Sequence, residues 1–337
     1  MTEILLHDNG IERAKQMLIN GECVAVPTET VYGLAADAKN PDAVLKIFQL
    51  KGRPTDHPLI VHVPDISHIE HWAKDVPDCV AKLAGAFWPG PLTLILNAKE
   101  GLDNPVTGGL KTIALRIPAQ PLFLRLLKEL DTGLAAPSAN RYKGLSPTSS
   151  EQVFQQLNGR IKAILDGGKC EHGIESTILD VTGEQPRVLR AGPISASDIE
   201  EVIKQPVSQP KKHDTVVPGN VAAHYQPDTP VSLISRTLLM KHIDEGDNQG
   251  TCYLVYSDEC IEALDRNKVP RNRRIELIST PAKYAKHLYF SLYELDNSET
   301  TEIKVEAPPR DIDWSAVNDR LSRAASFVFF DTKKGME

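Results

Sequence analysis

Several absences narrow the class of this protein before any motif is considered. No run of 18 or more apolar residues occurs, so no segment reads as a transmembrane helix and no membrane partner is expected. The first ten residues, MTEILLHDNG, are acidic and too short of apolar length for a secretory signal. The five cysteines (Cys23, Cys79, Cys170, Cys252, Cys260) are odd in number, scattered and never spaced Cys-x-x-Cys. That speaks against a disulfide framework or zinc knuckle and for reduced thiols in a cytoplasm. Gly-x-Gly-x-x-Gly and a Walker lysine are both missing, so the common nucleotide loops are absent. There is no basic excess either: 38 Lys+Arg stand against 45 Asp+Glu, a formal net charge of −7. The balance is acidic along the whole chain, 15 basic against 18 acidic residues in 231–337 and 23 against 27 before them. A protein that grips a nucleic-acid backbone usually carries a basic surplus. An anionic ligand must here be met by a local cluster, which suits a small phosphate compound better than a duplex.

What is present is an ordinary globular composition, 41% hydrophobic and 25% charged, in 337 residues, more than one core usually supports. Through residue 204, short apolar runs alternate with amphipathic stretches. A helix reads over 11–19, with Asp8 or Asn9 as cap and Asn20-Gly21 as stop, followed by a strand at 23–27. Asn40-Pro41 opens a second helix that shows Val44, Ile47 and Phe48 on one side and runs to Lys51. Further strands read at 58–63, 92–97, 112–117, 133–136, 162–166, 176–182 and 187–190. Thr148 with Glu151, and Ser197 with Glu200, read as capping boxes. The alternation predicts an α/β domain over residues 1–204. Residues 205–230 hold five prolines and no periodicity, a long linker. From 231 the strands VSLIS, TCYLVYS, RIELIS and IKVEA, with helices near 281–296 and 313–326, predict a smaller α/β domain over 231–337.

Polar residues gather where strands end. Thr28, Glu29, Thr30 and Tyr32 follow the 23–27 strand, and open α/β sheets hold ligands at such ends; a turn whose hydroxyls bond backbone is the other account. Lys51 and Arg53 belong either to a solvated turn or to the rim of an anion site. His62 shares a strand face with Ile60, as a core histidine or a site residue. His62, His68 and His71 lack the carboxylate or cysteine partners of a catalytic zinc. In the strand 112–117, Thr112, Ala114 and Arg116 share one face. A buried arginine is costly alone, so Arg116 either pairs a protein carboxylate or waits for a carboxylate or phosphate of a ligand, which it grips bidentately. Thr112 beside it favours a ligand. Ser138, Asn140 and Ser146 lie in a Gly- and Pro-punctuated loop and can donate to phosphate or ribose. No Gly-x-Ser-x-Gly elbow surrounds Ser138, which disfavours a covalent nucleophile.

Taken together, PTETVYGLAADA (27–38), Lys51-x-Arg53 with Ser138-x-Asn140, FWPGPLTLIL (87–96), TIALRIP (112–118), ESTILDVT (175–182) and VLRAGPI (188–194) resemble the threonylcarbamoyl-AMP synthase family, in register over about residues 10–200. HYQPDTP in the linker and the domain after it resemble the long, two-domain form. The resemblance implies a twisted mixed β-sheet of the YrdC-like kind around a concave, locally positive cavity, a linker folding over the active site, and a smaller Rossmann-like C-terminal domain. It implies condensation of L-threonine, bicarbonate or CO2, and ATP into threonylcarbamoyl-AMP and pyrophosphate, with Mg2+ carried on the phosphates. Partner proteins then transfer the threonylcarbamoyl group to tRNA; weak affinity for tRNA or double-stranded RNA is a further expectation. Position by position, Lys51, Arg53, Ser138 and Asn140 fall on the catalytic phosphate signature. Thr30, His62, Arg116, Ala136 and Ser176 fall on the threonine positions. His57, Thr112, Ser146, Arg190, His224 and Tyr225 join the signature on the ATP side. Two departures stand out: His57 replaces the family's Asn, and the basic residue usual before the His224-Tyr225 pair is missing. A non-catalytic RNA-binding module and a carbamoyl transferase on a related fold are the alternatives. The acidic balance opposes the first. The second would bring zinc-finger cysteines and an acylphosphatase-like domain.

Overall fold

Short apolar runs that cannot stand alone as helices satisfy their backbone groups by pairing, and the amphipathic stretches between them cover the sheet so formed. The computed structural model describes residues 1–102, 105–210, 215–219, 224–246, 249–297 and 299–330. The chain divides into two compact units, residues 1–142 with 146–220 and residues 143–145 with 221–337. The first runs β1 (Glu3–Leu5), α1 (His7–Ile19), β2 (Val24–Val26), β3 (Gly33–Asp37), α2 (Pro41–Lys51), β4 (Ile60–His62), α3 (Ile69–Trp72), β5 (Ala73–Lys74), α4 (Cys79–Phe87), β6 (Leu92–Ala98), β7 (Thr112–Arg116), α5 (Pro121–Leu130), β8 (Leu134–Ala135), α6 (Ser150–Leu157), β9 (Ala163–Leu165), β10 (Thr177–Asp180), β11 (Arg187–Arg190) and α7 (Ala196–Ile203). Its strands form one mixed sheet, in the order β1-β9-β2-β3-β8-β4-β7-β6-β10-β11, with β5 added on β6.

The two-residue period of β4 and β7 separates core from site. Val61, Ile113 and Leu115 point into the main core, beside Val44, Ile47 and Phe48 of α2. Each such side chain contributes about 1.5–3 kcal/mol on burial. Ile60 and Ala114 face the other way and join Ile95, Ile178 and Leu189 in a small apolar floor, with Val217 set on it. Parallel pairing places Ile60 opposite Ala114 and His62 opposite Arg116. On the far side of β7, Thr112 pairs with Asn97 of β6.

α2 delivers Lys51. Its start is fixed by Asn40, whose side chain accepts from Asp42 N and Ala43 N, and by Pro41 in the first turn. Its end is fixed by Gly52 at φ 65, a left-handed cap that favours glycine. Other caps differ from the reading above. α7 is capped by a reciprocal box between Ser195 and Asp198, not by Ser197 with Glu200. α6 starts from Ser149 without a side-chain bond, and Thr148 instead donates to Gln152 Oε1 through its amide and hydroxyl. β3, Gly-Leu-Ala-Ala-Asp, is a strand that the sequence reading did not assign.

The proline-rich segment is divided between the units. Ser208 bridges Arg187 along β11, Val207 enters the core, and Val217 covers the floor, all within the first unit. Residues 211–214 and 220–223 lie outside the described residues. The second unit comprises β12 (Val231–Ile234), α8 (Arg236–Asp244), β13 (Thr251–Val255), α9 (Asp258–Arg266), β14 (Arg274–Glu276), α10 (Pro281–Leu295), β15 (Glu302–Glu306), α11 (Ser315–Ala324) and β16 (Phe327–Phe329). Its strands are all parallel, ordered β14-β13-β15-β12-β16. Residues 143–145 belong here because Gln226 N donates to Lys143 O and Gly144 bridges Gln226. No helix among the described residues is long and apolar enough to cross a membrane.

Candidate active site

The open face of β4 and β7 ends in a buried guanidinium. Arg116 Nε donates to Gly90 O at 3.1 Å, Nη1 to Thr30 Oγ1 at 3.0 Å and Nη2 to Glu29 Oε1 at 2.5 Å. The other Glu29 oxygen accepts from Ala119 N at 3.0 Å. Both side chains of the ion pair are 4% exposed. Arg116 therefore has a protein carboxylate, and the residue that supplies it, Glu29, is absent from the expected binding set. Only the rule that a buried arginine needs an anion, applied to the single carboxylate of PTETVYG, points to it. Thr30 is oriented by Thr28, whose hydroxyl lies 2.8 Å from Thr30 Oγ1 and accepts from Thr30 N. His62, cross-strand from Arg116, is buried against Phe123 with ring centroids 5.3 Å apart. Burial, and then the neighbouring guanidinium, hold its pKa well below 6.5, so the imidazole is neutral. Ala136 contributes main chain to the same strand region: its N–H donates to Ile60 O.

The second cluster explains why Lys51-x-Arg53 goes with Ser138-x-Asn140. Lys51 is buried, not solvated as a turn lysine would be. Its ammonium donates to Ser138 O and Asn140 O, each at 2.5 Å, and faces Asn140 Oδ1 at 3.5 Å. The end of α2 also accepts from the loop, Tyr142 N to Lys51 O. Lys51 thus holds the 138–142 loop in place, and a phosphate would meet it only by displacing one of these bonds. Burial, then Arg53, lower its pKa. Arg53 Nη2 donates to Pro58 O at 3.1 Å, at the entry to β4. His57 is half-buried, edge-on to Tyr142 at 6.0 Å, and burial followed by Arg53 lowers its pKa.

A third cluster rims the floor. Arg190 reaches Ser176 O through Nε and Nη2, Ser176 Oγ through Nη2 at 3.0 Å, and Pro218 O through Nη1 at 2.9 Å. Ser176 Oγ also meets Thr93 Oγ1 at 2.8 Å, and Ser146 Oγ donates to the buried Glu175 at 2.6 Å. Thr93 and Glu175 are further residues the sequence reading passed over. Thr112 stands at the opposite end of β7 from Arg116. The structure thus brings Thr30, His62, Ala136, Arg116, Ser176 and Arg190 onto one sheet region, and Lys51, Ser138 and Asn140 into one tie. His224 and Tyr225 belong to the second unit. There Tyr225 is buried, stacked on Tyr289 at 5.5 Å with Arg320 5.4 Å over its ring, and His224 N donates to Arg323 O. The position just before His224, where a basic residue is missing, lies outside the described residues.

Comparison with known proteins gives this geometry its relatives. A family model described as Telomere recombination, for Sua5, YciO and YrdC proteins, matches residues 16–192. One described as Threonylcarbamoyl-AMP synthase, C-terminal domain, matches residues 194–326. The threonylcarbamoyl-AMP synthase of Bacillus subtilis is 38% identical over 340 residues, covering 96% of this chain and 95% of its own. That of Pyrococcus abyssi is 34% identical over 332 residues, covering 94% of each. The crystal structure of P. abyssi Sua5 complexed with L-threonine superposes with a TM-score of 0.87 at 31% identity, over 98% of this chain and all of that one.

Proposed function

The chain belongs to the threonylcarbamoyl-AMP synthase family, and from that premise we propose that it condenses L-threonine, bicarbonate or CO2, and ATP into threonylcarbamoyl-AMP and pyrophosphate, as a nucleotidyltransferase. The observation that carries this reading is the open face of β7. Arg116 uses three of its five N–H groups on protein, which leaves one on each terminal nitrogen for a carboxylate. Thr112 lies four residues away, about 13 Å along an extended strand, room for an amino acid followed by a phosphate chain. On the ATP side Arg53 and Arg190 bring positive charge, and the loop held by Lys51 carries Ser138 and Asn140; the Ser146 hydroxyl proton is committed to Glu175.

No side chain among the described residues is assigned as a nucleophile, and catalysis rests on alignment and on stabilising charge. The threonine α-ammonium first gives up a proton to solvent; the amine lone pair then attacks CO2, and the second proton released on forming the carbamate also leaves to solvent. An oxygen of the carbamate then attacks the α-phosphorus, and pyrophosphate leaves. Mg2+ would enter the site on the ATP phosphates and offset their charge there. All five cysteines are free thiols, which supports a cytoplasmic setting. The product is a mixed anhydride that hydrolyses readily, so a downstream transferase acting on tRNA is its natural consumer. The test is pyrophosphate release from ATP, expected only with threonine and bicarbonate both present. Equal turnover without an amino acid would overturn the assignment.

A further inference from the structure

We infer that Glu29 is a substrate-binding residue: with Arg116 it forms a clamp for an α-amino acid zwitterion, Arg116 taking the carboxylate and Glu29 the α-ammonium. This rests on the reading of the site as a threonine site. Glu29 is a main-chain anchor as well as a charge. Its carbonyl accepts from Glu171 N at 2.9 Å and His172 N at 2.8 Å, so the side chain is held from behind while it reaches Arg116. A buried ion pair is a poor device for stability, because two charges lose their water to make it. Its place at the open end of β7, beside Thr30, calls for a functional account.

The donor and acceptor count supplies one. A carboxylate has about four lone-pair sites, and here Arg116 Nη2 and Ala119 N occupy two. Capacity therefore remains on both halves of the pair, N–H on Arg116 and lone pairs on Glu29. An α-amino acid carries its opposite charges on adjoining groups, at a separation comparable to that of the two halves of the pair. Seated against them, each charge has opposite neighbours and the buried assembly is neutral. A carboxylic acid without the amine would set its carboxylate near Glu29 with only Arg116 to offset both, leaving the buried assembly with a net negative charge. Glu29 thus selects amino acids over the same acids without the α-amino group.

Calorimetry on the full chain tests this with L-threonine and (R)-3-hydroxybutyrate, which is threonine without its α-amino group. Wild type is expected to favour threonine by about a hundredfold or more, two charge-assisted hydrogen bonds' worth. Glu29→Gln keeps the shape and an acceptor for Arg116 but loses the charge. It is expected to bind threonine more weakly and the hydroxy acid more tightly, shrinking the preference by about tenfold or more. Both ligands weakened alike, with the preference unchanged, would show Glu29 to be structural only and overturn the clamp. Should the variant not fold, wild type decides alone: comparable affinity for the two ligands overturns the clamp while leaving the threonine site standing. No threonine binding by wild type would overturn the underlying reading instead.

Discussion

Lys51→Met is the most informative single change outside the threonine end. Methionine keeps the lysine chain up to its Cε position but donates nothing, so Ser138 O and Asn140 O each lose a donor at 2.5 Å. Leaving a buried carbonyl unsatisfied costs about 1–3 kcal/mol, or about 2–6 kcal/mol for the two. Relief from burying an ammonium works the other way, in line with the lowered pKa of Lys51. The expected net loss is about 2–4 kcal/mol, measured by urea unfolding. The effect on activity is more specific. The loop 138–142 is tied to α2 through the Lys51 side chain and carbonyl, and a drift of about 1 Å in positioned groups costs about a hundredfold in rate. kcat/KM for ATP should fall by about that factor in pyrophosphate release assayed below the melting transition. Threonine affinity without ATP should change by less than about twofold, because Thr30 and Arg116 are held by other bonds. Wild-type turnover, or an equal loss of threonine binding, would refute the claim that Lys51 acts by holding this loop.

Three other outcomes are expected. Arg116→Lys keeps the charge, but one ammonium cannot serve Gly90 O, Thr30 and Glu29 together; KM for threonine should rise about 10- to 100-fold while KM for ATP stays within about threefold, and unchanged threonine affinity by calorimetry would refute this. His62 stays neutral when folded and protonates near 6.5 when unfolded, so between those values the unfolded chain binds the extra proton. Stability should therefore fall as pH drops below 6.5, by up to about 1.4 kcal/mol per pH unit from this residue; His62→Phe should flatten that slope in urea titrations at pH 6.5 and 5.0, and an identical slope would refute it. Val217→Asp should unseat the linker from its apolar floor and lower the share of consumed ATP that ends as threonylcarbamoyl-AMP, since closure keeps water from the carbamate and the anhydride; an unchanged share would reduce the linker to a tether. Val217 serves this test better than His224 with Tyr225, because truncating a buried aromatic such as Tyr225 costs about 3–5 kcal/mol by itself.

How far the sequence carried depends on whether a feature is local. The period of β7 and the capped start and glycine stop of α2 are written in neighbouring residues, and they survive in the structure as read. The sheet order is not local: β1 pairs with β9, Glu3 opposite Ala163, through contacts no short window contains. Near α7, Ser195, Ser197, Asp198 and Glu200 allow two overlapping boxes, and the structure forms the one between Ser195 and Asp198. At the site the same divide holds. Lys51 beside Gly52, Arg53 and Pro54 reads as a solvated turn or as the rim of an anion site, and neither reading contains the loop 87 residues away that draws its ammonium inside. Arg116 is the instructive case. Reading the strand posed a choice between a protein carboxylate and a ligand, as though one guanidinium served one anion. Five donors fixed in a plane admit both. Glu29 takes one N–H of one terminal nitrogen and Thr30 one of the other, so the carboxylate that pairs Arg116 in the core still leaves the guanidinium two N–H groups.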